Sequence, residues 1–519
     1  MSQSARAPLA LVLVPALALG APACASDHQA DTVWAQPAGH DPSVVPAVSD
    51  GGPTVDAPPS ESVAGSSGVD DKYIEAAQKL TEMARVQTHA WDRLAYMSDT
   101  FGHRLSGSQS LEDTIDWSLE RMREDGLVEV RREKVMVPHW VRGHEEAQIL
   151  SPRPRELEVL GLGMTVGTPR RGITAEVAVV HSLDEIDARG EDLRGKIVVI
   201  NQAMPAYDQG NHDSHYGTTV QIRAHGASRA AKYGAKAVLT RSVTANSLRT
   251  LHTGTLLYAD DQPQIPAAAI APEDAEWFAR VVARGETPKV RLKLGAKLLP
   301  DAQSANAIAE LRGRELPDEI VVIGGHIDSW DVGDGSTDDG SGCVMAMEAA
   351  RMLLDLGLVP RRTIRVVLWT NEENGLRGGK AYFDAHHGEL HAAGIESDAG
   401  AGDPWGFGVG QNQAQLDALL PYAPLFEDLG AHNFKLGGGG ADLSPLTAAG
   451  MLGLGLRPDT SHYFDLHHSQ ADTIDKVDPE ALQRNAAAIA LMAFILAERE
   501  LPGPLIPLAA PDPDSPEAG

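Results

Sequence analysis

Seven acidic and histidine side chains in the second half of this 519-residue chain have the types and contexts that suit two divalent metal ions. They are His326 and Asp328 in Gly-Gly-His-Ile-Asp-Ser-Trp-Asp, Asp338 in Thr-Asp-Asp-Gly, Glu372 and Glu373 in Trp-Thr-Asn-Glu-Glu, Asp398 in Glu-Ser-Asp-Ala-Gly, and His468 in His-His-Ser-Gln-Ala-Asp-Thr. Imidazole nitrogen and carboxylate oxygen are zinc ligands. Two ions roughly 3.5–4 Å apart need one ligand that touches both, and a short carboxylate can do so. Asp338 is the candidate bridge. His326 and Asp398 then serve one ion, and Glu373 and His468 the other. Glu372 stands beside a ligand without being one, so it is free to take a proton from an attacking water. Asp328, two residues after His326, can accept the second ring N–H of that imidazole and fix its tautomer. Asp339, next to the bridge, is a second supporting carboxylate. An Asp-rich, Gly-rich loop also suits calcium. However, residues 331–339 lack the regular Asp-x-Asp-x-Asp-Gly spacing and the terminal Glu of such loops. Each fragment alone is ordinary loop chemistry, and the combination carries the signal.

Such residues need rigid elements to aim them. Ile320-Val-Val-Ile323 precedes His326, and Ile364-Arg-Val-Val-Leu-Trp369 precedes the Glu pair. Both runs read as buried strands, and ligands in open α/β sheets bind at strand ends. From about residue 300 the pattern alternates. Strands are expected near 305–311, 319–324, 363–370 and 451–456, and helices at 341–357, 375–387, 414–430 and 480–499. This predicts an α/β fold, a mostly parallel sheet covered by helices on both faces. Residues 140–298 read as an inserted, strand-rich domain, with strands at 176–180, 196–200, 235–239 and 265–270. Tyr73–Val86 and Thr114–Arg123 have helical periodicity. The catalytic domain is therefore expected to span 73–139 and 299–500. Gly437-Gly-Gly-Gly440 lacks the Lys-Ser/Thr of a phosphate loop and reads as a flexible substrate-side loop ending at Asp442.

Lys plus Arg number 44 against 72 Asp plus Glu, a formal charge of −28. That disfavours nucleic acid and anionic membranes as partners. Arg6 and the apolar run to Leu19, followed by Gly20-Ala-Pro-Ala-Cys24, read as an export signal over residues 1–25. Two readings stay open: cleavage after Ala21-Pro-Ala23, or acylation of Cys24 as a lipid anchor. Residues 26–72 are rich in Pro, Gly, Ser and Asp and read as a flexible linker, and 501–519 as a disordered tail. The other cysteine, Cys343, sits in an apolar helical pattern and reads as a small core residue.

With these residues in view, the chain resembles the co-catalytic zinc exopeptidase family that contains zinc aminopeptidases and glutamate carboxypeptidases. The resemblance covers roughly residues 75–500. It is carried by the seven-residue set above with its flanking motifs, and by Gly195-Lys-Ile-Val-Val, Arg241-Ser-Val and His252-Thr-Gly254. It implies two zinc ions per chain, the ligand and base roles just given, and a cis peptide between Asp338 and Asp339. It implies that residues 140–298 form a protease-associated-like insert. It also implies an enzyme that acts on small peptides as a homodimer, and the N-terminal segment adds the expectation that this enzyme is exported, secreted or periplasmic, or lipid-anchored. The reading is a dipeptidase or carboxypeptidase-like enzyme, with a zinc aminopeptidase as the alternative. A non-catalytic ectodomain on the same fold would be expected to have lost ligands, and none is missing. Acyl transfer by a glutaminyl cyclase is a further relative, disfavoured by the Glu pair and the full ligand set.

Overall fold

In the computed structural model, which describes residues 69–509, the apolar runs at 320–323 and 364–369 lie side by side as parallel strands within an eight-stranded sheet. The signal sequence, most of the linker with Cys24, and the tail from residue 510 lie outside the described residues.

In chain order, helices α1 (Asp71–Val86), α2 (His89–Phe101) and α3 (Gln109–Glu124) lead into strand β1 (Val128–Val141). Strands β2 (Glu145–Ser151), β3 (Arg155–Glu156), β4 (Leu160–Gly161) and β5 (Ile173–Val180) follow, then α4 (Leu183–Arg189) and β6 (Ile197–Ile200). Next come α5 (Tyr216–Thr219), α6 (Gln221–Lys232), β7 (Ala237–Arg241), β8 (Ala267–Ile270), α7 (Pro272–Ala283), β9 (Lys289–Leu294) and β10 (Lys297–Leu311). The chain continues through β11 (Leu316–His326), α8 (Ser341–Asp355), β12 (Arg362–Trp369), α9 (Arg377–His386), β13 (Leu390–Glu396) and β14 (Pro404–Val409). It closes with α10 (Gln413–Asp417), β15 (Asn433–Leu436), α11 (Ser444–Ala448), β16 (Gly453–Pro458), α12 (Tyr463–Leu466) and α13 (Pro479–Glu498).

The first sheet runs β1-β10-β12-β11-β13-β16-β14-β15, and its middle strands β12, β11, β13 and β16 are parallel. Successive side chains on a strand point to opposite faces. Val321, Ile323, Ile364, Val366 and Leu368 accordingly pack with α1, α2, α8 and α13, while Ile320, Val322, Val367 and Trp369 pack with Tyr382 and Phe383 of α9 and Leu446 of α11. Helices thus cover both faces. The second sheet, β3-β2-β9-β5-β6-β7-β8-β4, is formed wholly within residues 145–294. Among the described residues, α13 is long and apolar enough to cross a membrane, but 89% of that stretch is buried, and it is the central helix of the core. Cys343 is buried in α8.

Some expectations change. Helix 414–430 is broken, because α10 stops at Asp417 and residues 420–429 wind more tightly around Pro424, which cannot donate an N–H. Helix α2 escaped notice because its buried face includes Arg93 and Ser98, which blur the apolar period. The end of the linker already belongs to α1, and the first part of the tail is ordered. Leu505 and Leu508 pack against the core, and Leu508 N–H donates to the His387 carbonyl at 2.9 Å.

Glu348 of α8 ties three helices together. Fully buried, it accepts from Arg351 Nε at 2.7 Å, lies 2.9 Å from His89 Nδ1 of α2, and accepts from Gln483 Nε2 of α13 at 2.9 Å. Burial by itself would raise this carboxyl, but the Arg351 and His89 hydrogen bonds outweigh it and hold it at about 2. A depressed folded value means stability that is present above the unfolded value and lost as pH falls through the folded one. Glu348→Gln is therefore expected to lower stability by about 3 kcal/mol at pH 7. The gap should shrink by more than half by about pH 3. Urea unfolding of the metal-free proteins measures it, and a gap independent of pH would show that the ionised pair does not stabilise the fold.

Candidate metal centre

Three neighbouring strands deliver most of the cluster. His326 is the last residue of β11, the Glu372–Glu373 pair follows β12, and Asp398 follows β13, so all four emerge at one carboxyl edge. Asp338 and His468 arrive differently. Asp338 sits in the tight turn before α8, joined to Asp339 by a cis peptide, and His468 lies in the loop after α12. The expectation of successive strand ends thus holds for part of the set.

Asp338 lies between two imidazoles. Its Oδ1 is 3.2 Å from His326 Nε2, and its Oδ2 is 3.1 Å from His468 Nε2. Asp398 Oδ1 stands 3.5 Å from His326 Nε2, and Glu373 Oε2 3.0 Å from His468 Nε2. Each ring nitrogen therefore faces two carboxylate oxygens. His326 Nδ1 lies 3.0 Å from the Asp328 carbonyl, which can only accept, so Nδ1 carries the ring proton. In the neutral ring, Nε2 then directs a lone pair at two anionic oxygens. Only a proton or a cation between them relieves the repulsion. Asp338 Oδ2 and Glu373 Oε1 are buried with no hydrogen-bond partner, and buried charges are paired or coordinate metals. Nitrogen and oxygen donors converging on two points suit zinc.

The charges of the metal-free cluster follow the same logic. Burial opposes a charged His326, but Asp338 and Asp398 outweigh it and raise the ring well above its ordinary value. Burial would likewise lift Asp338, yet the two rings hold it well below the usual carboxylate range. Burial lifts Glu373 to about 7. It also drives Glu372 well above the usual range, with Asp398 and Glu373 adding to the shift and His326 opposing it. Protons thus stand where metal ions would, and metal binding must release them.

Asp328 works otherwise than the sequence suggests. Its main-chain carbonyl orients His326, while its carboxylate is 3.8 Å from Nδ1. That carboxylate accepts instead from Glu372 N–H at 3.0 Å and Ser106 Oγ at 3.2 Å, so it aims the Glu loop. Asp339 accepts from His326 N–H and Gly342 N–H, each at 3.0 Å, tying the strand end to the start of α8.

Five residues take part beyond those to which the sequence assigns a role. His467 stacks on His468 with ring centroids 3.5 Å apart, and its Nε2 is 3.6 Å from Asp338 Oδ2. Its place next to His468 was the available signal. Asp472 accepts from Thr337 N–H at 2.7 Å and Asp338 N–H at 3.1 Å, which fixes the bridge candidate's peptide. Glu396 accepts from Leu443 N–H at 2.8 Å, and Asp442, at the end of the Gly-rich loop, is buried. The fifth is Arg104. It is fully buried and donates to the carbonyls of Ile327 at 2.8 Å, Gly102 at 3.1 Å, Asp334 at 2.7 Å and Gly335 at 2.8 Å. This guanidinium shapes the loop between His326 and Asp338. Trp330, Val332, Asp338, Glu373, His468 and Asp472, among others, line a tight recess at the cluster.

An α/β sheet with carboxylates and imidazoles converging at its carboxyl edge defines the zinc exopeptidase fold class. The sequence pattern of peptidase family M28 matches residues 306–493. Carboxypeptidase Q of Homo sapiens is 40% identical over 428 residues, covering 82% of this chain and 89% of that protein. A solved peptidase M28 precursor from Shewanella amazonensis superposes with a TM-score of 0.80 at 36% identity, covering 85% of this chain and 100% of the other. A zinc aminopeptidase from Bacillus subtilis shares the fold at a TM-score of 0.59 and 21% identity, over 80% and 96% of the two chains. The chain belongs to peptidase family M28 and is a metallopeptidase.

Arg104→Met leaves four carbonyls without their donor, those of Ile327 and Gly335 buried and those of Gly102 and Asp334 partly buried. Each such loss costs about 1–3 kcal/mol. The variant is expected to lose at least about 3 kcal/mol of stability and to bind metal more weakly. Chemical unfolding and metal titration check this, and a variant as stable as the parent would remove Arg104 from its organising role.

Proposed function

We propose that this protein is an exported two-zinc exopeptidase that hydrolyses short peptides with free ends. Asp338 would bridge the ions, with His326 and Asp398 completing one site and Glu373 and His468 the other. The observation that supports this most is the division of the Asp338 carboxylate, one oxygen toward each ring at 3.2 and 3.1 Å. Bound zinc supplies Lewis acidity that polarises a carbonyl and acidifies water. The chain's own part is proton handling and placement. Glu372, held at its N–H by Asp328, takes the proton of the attacking water and delivers it to the departing amine nitrogen. The Asp328 carbonyl keeps the His326 ring in the tautomer that presents Nε2.

Relatives named carboxypeptidase Q support the carboxypeptidase direction. An aminopeptidase is the second reading, supported by leucine aminopeptidase 2 of Trichophyton equinum, 29% identical over 56% of this chain. Export is supported by the apolar run and small residues before Cys24.

Glu372→Gln is expected to retain two zinc ions while turnover falls about 10²–10⁴-fold. Glu373→Gln should lose zinc, and Asp338→Ala should lose metal and activity together. Elemental analysis with steady-state kinetics separates these outcomes. Undiminished zinc in Asp338→Ala would refute the bridge.

Unblocked dipeptides should be cut faster than long or blocked peptides, because a closed site must pair the charged ends. Acetylating the amine slows a dipeptidase or an aminopeptidase, and amidating the carboxylate slows a dipeptidase or a carboxypeptidase. Product analysis distinguishes the three, and rapid internal cleavage of a blocked ten-residue peptide would refute the exopeptidase reading.

A further inference from the structure

His468 reaches the cluster from a loop that α6 and the loop after β7 grip. Its main chain is left-handed, φ 59°, a conformation that a non-glycine residue keeps when its surroundings impose it. The imposing contacts come from residues 223–254. Thr253 N–H donates to the His468 carbonyl at 2.9 Å. His252 Nδ1 lies 2.7 Å from the His467 carbonyl, and since a carbonyl only accepts, Nδ1 carries that proton. Behind the His468 ring, the Thr253 carbonyl is 3.3 Å from His468 Nδ1 and accepts from Arg223 Nη1 at 3.2 Å. Arg223, on α6, is buried, with Nη1 also 3.2 Å from His468 Nδ1. A Cβ at Gly254 would meet Arg223 Cζ at 2.3 Å and His468 Nδ1 at 2.6 Å, so the close approach requires glycine there.

We propose that His252, Thr253 and Arg223 are positioning residues for His468, which makes α6 and the loop after β7 a structural part of one of the two metal sites. The inference rests on the reading of His468 as a ligand. A ring that gives Nε2 to a metal keeps its proton on Nδ1 and needs an acceptor there. The Thr253 carbonyl is that acceptor, and Arg223 Nη1, 3.2 Å from both that carbonyl and His468 Nδ1, fixes it on the Nδ1 side of the ring. His252 holds the preceding peptide, which sets the direction in which the His468 side chain leaves the loop. The other site draws His326 and Asp398 from strand ends of the first sheet and Asp338 from the turn before α8. The two ions should therefore respond differently when the grip is loosened.

His252→Leu removes the donor to the His467 carbonyl, whereas His252→Asn keeps an N–H near the Nδ1 position. Arg223→Gln removes the charge and most of the donors behind the ring. Zn²⁺ and Co²⁺ are titrated into the full chain, with metal content read by elemental analysis and site geometry by the Co²⁺ visible spectrum. His252→Leu and Arg223→Gln are expected to bind one ion as the parent does and the other about 10–100-fold more weakly. His252→Asn should recover most of the loss. Both ions bound at parental affinity in both variants would overturn the proposal, and so would equal weakening of the two ions, the mark of general damage. A parent protein that binds only one ion would overturn the two-ion reading itself, and this inference with it.

Discussion

A single buried carboxylate facing two imidazoles organises this molecule. Asp338 is 4% exposed, and each of its oxygens lies close to a different histidine. An anion so far from water persists only if positive charge is supplied on both sides. Much of the surrounding hydrogen bonding serves to keep it there. Asp472 holds its peptide N–H, Asp339 ties the neighbouring turn to the end of β11, and Arg104 spans the loop between them.

The cluster is rich in acids. Asp328, Asp339, Glu372, Glu373, Glu396 and Asp442 all have raised carboxyl values, with burial the leading cause for each. In a low-dielectric setting these groups cannot all ionise without cations, so acidity and metal content are linked. The parallel strands make this crowding of acids possible. Their carboxyl ends lie in register, His326 opposite Trp369 and Gly324 opposite Glu396, so short loops bring distant residues together.

The core also explains why the site can be rigid. The covered faces of β11 and β12 leave those strands little freedom, and α8 is wedged against α13 directly behind the Asp338 turn. The loop carrying His468 lacks such a strand beneath it, and it is steadied by α5 and the loop after β7, through Tyr216 stacked on Phe464 at 4.5 Å and Asn246 donating to Asp465 at 3.1 Å.

The amino-acid order by itself determined the central strands, the long α8 and α13 helices, and which residue types could meet at the strand ends. Unbroken apolar runs and helical periods are local signals, and the hydrophobic effect enforces them wherever the chain folds. Tertiary structure alone decided what each polar group touches. The Asp328 carboxylate turned to the Glu372 N–H instead of the His326 ring, Arg104 went to backbone carbonyls, and His252 and Thr253 reached more than 200 positions along the chain to His467 and His468. Such partners depend on distances of a few ångströms between segments far apart in sequence, and no local pattern encodes them. Helix α2 stayed hidden for a related reason: Arg93 is a buried residue only because Asp125 is folded against it.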